Sequence, residues 1–150
     1  MSAFVPQDFA VPMGLDHERF RLRPLAVEHN PSDHVAWSLS IDHIRATPGY
    51  AGLSWPQPMT LAENQVDLER HASDFHERIG FTFTVLAPDL DTVIGCVYIY
   101  PSERTDCDAR VRSWVRAQDA DLDPVLHSAV ERWLADAWPF RRVESAPRAR

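Results

Sequence analysis

The stretch Asp119-Ala120-Asp121-Leu122-Asp123-Pro124 joins two segments of different periodicity. Before it, Asp108 to Arg116 reads as a β-strand centred on Val111 to Val115. After it, from Pro124 to Trp138, Leu126, Val130, Trp133 and Ala137 recur at helical spacing, and Ala129, Leu134 and Trp138 widen the apolar face. A strand–loop–helix junction is a place where proteins hold phosphates, with backbone N–H groups and the positive end of the helix dipole. This junction has no glycine and carries three carboxylates. Asp123-Pro124 reads as a helix cap followed by proline at the first helical position.

Upstream, Phe81 to Leu86 and Thr92 to Tyr100 are β-rich runs separated by Ala87-Pro88-Asp89-Leu90-Asp91, a hairpin signature. A polar loop, Pro101 to Asp106, leads into the strand of the opening stretch. Thr60 and Glu63 match a capping box for a helix running to Ile79, with Leu61, Leu68, Ala72, Phe75 and Ile79 as its apolar stripe and Gly80 as its stop. Before it lies a loop rich in glycine, proline and aromatics, Tyr50 to Met59. Asn30-Pro31 opens an earlier helix that places Trp37, Ile41 and Ile44 on one face and ends before Pro48-Gly49. Arg19 to Val27 reads as a first strand bending near Pro24. Residues 1–18 read as an irregular arm, and 19–150 as a single domain. Arg141 to Ala146 forms a last short strand. The predicted order is β-α-α-β-β-β-α-β.

Composition narrows the function classes. With 150 residues, 45% hydrophobic and 25% charged, the chain is sized for one packed domain. A net charge of −7 argues against nucleic acid or an anionic membrane as the main partner. The longest apolar runs are too short to span a bilayer, and Met1 to Pro12 has no basic residue ahead of an apolar stretch, so a cytoplasmic address is expected. Cys96 and Cys107 read as reduced thiols, although a cross-strand bridge between them is conceivable.

The element order resembles the GNAT superfamily of acyl-CoA-dependent N-acyltransferases over about residues 19–146. Val93-Ile94-Gly95-Cys96-Val97-Tyr98-Ile99-Tyr100 looks like that family's third strand, which reads apolar-apolar-Gly-x-apolar. Ser113-Trp114-Val115-Arg116 looks like the end of its fourth strand, and Val125 to Trp138 like its cofactor-binding helix. The resemblance implies an α/β (α+β) fold with a mixed, mostly antiparallel sheet flanked by helices. It also implies transfer of an acyl group from acetyl-CoA or another acyl-CoA to a small-molecule amine or a protein. The backbone of Ser113, Trp114, Val115 and Arg116 would then pair with the pantetheine arm, with Gln118 and Val125 beside the phosphates. Tyr50 and Trp55 would border the acceptor.

Two departures qualify that expectation. The family's Q/R-x-x-G-x-G/A loop is replaced: Gln118 stands for its first residue, but Asp119, Asp121 and Asp123 follow and no glycine remains. Two like charges at about 4 Å repel by roughly 1 kcal/mol in water and by more at lower dielectric, so this loop disfavours a pyrophosphate. The family also continues past its fifth strand with a helix and two strands, often bearing a catalytic tyrosine. Here Glu144 to Arg150 remain, and the last tyrosine is Tyr100. A dimer partner or the N-terminal arm would have to close that side, and a homodimer is expected. The alternative is a non-catalytic binding or assembly protein that has lost CoA.

N-acyl transfer needs a base for the amine and a donor for the thioester carbonyl. Glu103, Asp106 and Asp108 are the candidate bases near the fourth strand, and Tyr98 and Tyr100 the candidate proton donors. No metal is expected. The acidic stretch starts like an EF-hand, but Pro124 and Val130 stand where that loop needs glycine and glutamate. The seven histidines form no HExxH, and His71 and His76 are five residues apart, off one another's face.

Overall fold

The computed structural model describes residues 3–148. Its centre is a six-stranded sheet in chain order: β1 Leu15–Asp16, β2 Arg21–Pro24, β3 Phe81–Leu86, β4 Val93–Pro101, β5 Ala109–Val115 and β6 Val143–Glu144. Every neighbouring pair is antiparallel except β5 and β6, which run parallel with Ala109 opposite Val143 and Arg110 opposite Glu144. Four helices cover the sheet: α1 Asn30–Ser38, α2 Ile41–Arg45, α3 Leu61–His76 and α4 Leu122–Ala137. Mixed sheet, mostly antiparallel order and flanking helices agree with the architecture read from the sequence.

Strand alternation divides the interior into two cores. On one face, Phe81, Phe83, Val97, Ile99, Val111 and Val115 pack on Leu126, Val130, Trp133 and Leu134 of α4. On the other, Cys96 and Trp114 pack with Trp37, Ile44, Tyr50 and Leu68. In β3 the phenylalanines face α4, while Thr82 and Thr84 are fully buried and hydrogen-bond His71 and His29 at 3.2 and 3.0 Å. Gly95 is needed in β4 because a Cβ there would stand 2.3 Å from the Trp114 carbonyl oxygen on the neighbouring strand. Cys96 pairs in register with Trp114, and both thiols are free. No helix among the described residues is long and apolar enough to cross a membrane.

The structure corrects several local expectations. The arm contains an element, β1, and its Val5 is buried in the α4-side core while Phe4 stacks on Phe81 and Phe140. Apolar side chains there outweigh the punctuation by Pro6, Pro12 and Gly14. The first strand proper stops at Pro24. The single early helix is two, broken at Leu39–Ser40, and the buried Ser40 hydroxyl accepts from the Ala117 N–H at 2.9 Å. Asn30 does not cap: its amide donates to the Leu61 carbonyl and to Gln65. The Thr60–Glu63 box is present in both directions, at 3.0 and 2.9 Å. Thr60→Ala is expected to lose about 1 kcal/mol in urea denaturation; an unchanged midpoint would contradict that cap. The helix ends at His76, Leu61 and Ile79 are exposed, and the left-handed residue at its end is Arg78, at φ 61°, in place of Gly80. Gly80 has another task, since a Cβ there would lie 2.2 Å from the Tyr100 ring. Finally, α4 begins at Leu122, two residues early, and Asp123 lies inside its first turn without capping it.

Candidate functional site

The loop from Tyr50 to Met59 folds back over the sheet because its backbone is tied down at several points. Arg45 Nε donates to the Pro56 carbonyl at 2.9 Å, Arg112 Nε to the Gly49 carbonyl at 3.0 Å, and His34 Nε2 to the Met59 carbonyl at 2.6 Å. This places Trp55 at the centre of an aromatic cluster, 5.5 Å from Trp37, 6.1 Å from Tyr50 and Trp114, and 6.5 Å from Tyr98 between ring centroids. Beside it opens a cavity of about 370 Å³ between α1, α3, β4 and β5. Tyr50, Trp55, Tyr98 and Tyr100 all line it, so four residues singled out in the sequence come together.

The polar groups of this cavity are unusual. Asp33 is 4% exposed and forms none of the ion pairs among the described residues; its carboxylate accepts from Asn64 Nδ2 at 2.9 Å. Burial pushes its pKa up to about 6, with the Asn64 bond opposing the rise. Tyr50 is 3% exposed and its hydroxyl has no hydrogen-bond partner among the described residues. Burial likewise raises the Tyr50 and Tyr98 hydroxyls well above the usual range, and Tyr98 accepts from the Trp114 indole at 3.0 Å. On the α3 side, Tyr100 donates to Asp74 at 2.8 Å and lies 3.0 Å from His71 Nδ1. Desolvation, aided by Arg70, pushes His71 down to about 4, which keeps it neutral. Arg110 and Arg112 of β5 also face the cavity, and neither meets a carboxylate among the described ion pairs.

The other candidate bases stand elsewhere. Asp106 is exposed and pairs with Arg104 at 2.8 Å and Arg142 at 3.6 Å. Asp108 accepts from the Arg141 N–H at 2.7 Å, and Glu103 is exposed in the same loop. None of the three lines the cavity.

The strip expected to hold a cofactor is engaged internally. Arg148, with a side chain 8% exposed, lays its guanidinium beside β5: Nη2 donates to the Ser113 carbonyl at 3.2 Å and reaches the Ser113 hydroxyl at 3.4 Å. Its Nε donates to Asp123 at 2.6 Å, and Nη1 to the Ala146 carbonyl at 2.9 Å. The acidic loop is thus neutralised residue by residue: Asp119 pairs with Arg116, Asp121 with Arg19 and Asp123 with Arg148, at 2.8, 2.8 and 2.6 Å. The charge repulsion inferred from the sequence is therefore largely cancelled, but the arginines doing so are themselves occupied. Four loop amides are engaged as well, with Ala117 donating to Ser40, Asp119 to Arg116, and Ala120 and Asp123 to carbonyls three residues back, while those of Gln118, Asp121, Leu122 and Val125 have no such partner among the described residues. Trp114 and Val115 are buried in opposite cores, Val125 is half-buried on α4, and Gln118 is exposed. An acyl-CoA would need the Ser113 carbonyl and a loop open to phosphate; Arg148 occupies that carbonyl and the loop carries three carboxylates and no glycine, so the residues as arranged do not fit one.

Sequence reading missed Asp33, Asn64, Arg110, Arg112 and Arg148. Two arginines on one face of an otherwise apolar strand, Arg110 and Arg112 around Val111, are a readable period-2 signal. Arg148 gives none, because its partners lie 25 and 35 residues away.

No family model matches this sequence, and no curated protein does. Solved structures do. The chain superposes on the ribosomal-protein-S5-alanine acetyltransferase of Vibrio fischeri with a TM-score of 0.67 at 13% identity, covering 89% of this chain and 73% of that one. The microcin C7 self-immunity acetyltransferase MccE, solved with acetyl-CoA and AMP, matches at 0.61 and 12% identity over 84% of this chain and 67% of its own. A proposed GNAT-family acetyltransferase from Bordetella pertussis matches at 0.60 and 11% identity, over 83% and 71%. At such identities the likeness is one of architecture, and it agrees with the element order: this chain has the fold of the GNAT acetyltransferases, in a divergent form without their glycine-rich phosphate loop.

Proposed function

We propose that this chain is an amine-binding protein of the GNAT fold, whose working site is the aromatic cavity and whose cofactor slot is held shut by its own Arg148. The observation that carries the reading is the guanidinium of Arg148 on the Ser113 carbonyl and the Asp123 carboxylate. Support for the amine comes from Asp33, a buried carboxylate outside the described ion pairs that lines the cavity together with Tyr50, Trp55 and Tyr98. Isolated buried carboxylates are costly, and a cation among aromatic faces offsets that cost. The chemistry assigned to the site is recognition of an ammonium group, with Asp33 as counter-ion.

The test is calorimetric titration of the whole protein with acetyl-CoA, CoA and a simple primary amine such as hexylamine. Acetyl-CoA and CoA at millimolar concentration should give no saturable heat and no thermal stabilisation. The amine should bind, and its affinity should be flat above pH 7. Below pH 6 it should fall about tenfold per pH unit, because Asp33 then takes a proton in the free protein.

A second reading, acyl transfer from acetyl-CoA or another acyl-CoA to that amine, is favoured by the fold shared with MccE, which was solved with acetyl-CoA. In that reading Arg148 is a removable obstacle. Arg148→Ala should then bind acetyl-CoA at least tenfold more tightly than the parent. In the first reading it binds no better, since the loop keeps its three carboxylates and has no glycine for a phosphate to approach.

A further inference from the structure

The cavity is electrically two-ended. Asp33 enters from α1, buried and without a cation. Arg110 and Arg112 enter from β5, where they stand in register opposite Tyr100 and Tyr98 of β4. Neither arginine meets a carboxylate among the described ion pairs, although Arg110 stands opposite Glu144 in register and Glu144 and Glu103 act on Arg112 from further away, whereas Arg70 pairs with Asp67 at 3.7 Å. Arg112 spends Nε on the Gly49 carbonyl, which fixes its guanidinium plane; burial and its neighbour Arg110 both press its pKa downward. Two like charges on alternate residues of one strand face repel unless an anion lies between them. Tyr50 adds an unpaired buried hydroxyl to the same space.

We propose that the cavity takes a zwitterion, an amine whose ammonium meets Asp33 and whose carboxylate is held by Arg110 and Arg112 across the aromatic walls. This rests on the amine reading above and adds the second charge and its place. The acid comes from a helix and the arginines from a strand, all of them lining the one cavity. Planar, two-pronged recognition of a carboxylate is what guanidinium groups do best. Nothing covalent is required: the ligand is bound, not altered.

Titration of the full chain with 6-aminohexanoate, hexylamine and hexanoate separates the two ends. The zwitterion is expected to bind at least tenfold more tightly than either singly charged probe. In Arg110→Gln 6-aminohexanoate should bind more weakly than to the parent, and its advantage over hexylamine should shrink to less than threefold. In Asp33→Asn both amines should weaken at least tenfold while the variant still unfolds cooperatively. Arg112→Gln, which also loses the Gly49 contact, serves as a second arginine variant, with folding checked by its melting curve. Equal binding of 6-aminohexanoate and hexylamine to the parent would overturn the zwitterion while leaving the amine site standing. No binding of either would overturn both. Arginine variants that leave the tenfold advantage intact would also overturn it.

Discussion

Arg148→Ala is expected to cost roughly 3 kcal/mol of folding stability, read as a fall in the urea midpoint at pH 7.5 with an unchanged slope. Arg148 and Asp123 form the most buried ion pair among the described residues, with side chains 8% and 14% exposed. Removing the guanidinium leaves a carboxylate in a mostly desolvated position, and losing one partner of a buried pair costs about 3–5 kcal/mol. The lower end applies because Asp123 lies in the first turn of α4, where the helix dipole favours negative charge. Asp123→Ala should be milder, about 1–2 kcal/mol, since the guanidinium keeps the Ser113, Ala146 and Pro48 carbonyls as acceptors. The double variant should then lose clearly less than the sum of the two single losses. A midpoint for Arg148→Ala within experimental error of the parent would mean that the tail does not clasp the sheet.

The second large effect concerns pH. His71 is held at about 4, below its ordinary 6.5, because burial disfavours the cation. A depressed folded-state pKa means stability that is full above pH 6.5 and is lost as pH falls toward 4. Asp33 is the reverse. Held at about 6, above its ordinary 3.8, it favours the folded state below pH 3.8, and that contribution is lost as pH rises through 6. Between pH 7.5 and 4.5 the two run in opposite directions, by roughly 3 and 2 kcal/mol at 1.36 kcal/mol per unit. They nearly cancel in the parent. Asp33→Asn removes one arm, so its stability should drop by about 3 kcal/mol from pH 7.5 to 4.5. His71→Asn removes the other and should be about 2 kcal/mol more stable at pH 4.5 than at 7.5, before His29 and His127 are counted. Burial holds those two histidines down as well and tilts every variant slightly toward acid instability. Parallel pH curves for the parent and both variants would contradict the burial of these two groups.

Much of this molecule is legible in its sequence where the signal is periodic. Phe81 to Leu86 is found over the whole of its predicted range, and Val93 to Pro101 within a residue of it, because alternation against two cores leaves one register. The capping box at Thr60 is found because it is local. Failures fall where a distant partner overrides a local rule. Asp123-Pro124 has the sequence of a cap, but Arg148 draws the carboxylate aside and the helix starts two residues earlier. The Trp37–Ile44 face is helical in period, yet Ser40 turns inward to receive the Ala117 amide and the helix breaks there. Of the site, the aromatic wall of Tyr50 and Trp55 is visible as a loop of unusual composition. Asp33 is not, because a single acid in the first turn of a helix is ordinary until packing buries it.

The most direct test is a pair of ¹H–¹⁵N NMR titrations on the labelled chain, following the tryptophan indole N–H signals and the backbone amides of residues 113–125. With 6-aminohexanoate, the indole signals of Trp55 and Trp114 should shift and saturate while those amides stay within noise. With acetyl-CoA at millimolar concentration, neither set should move. Saturable shifts of the Ala117 to Val125 amides on adding acetyl-CoA would contradict the account, because they would place an anion on the acidic loop beside the strand edge that Arg148 now occupies.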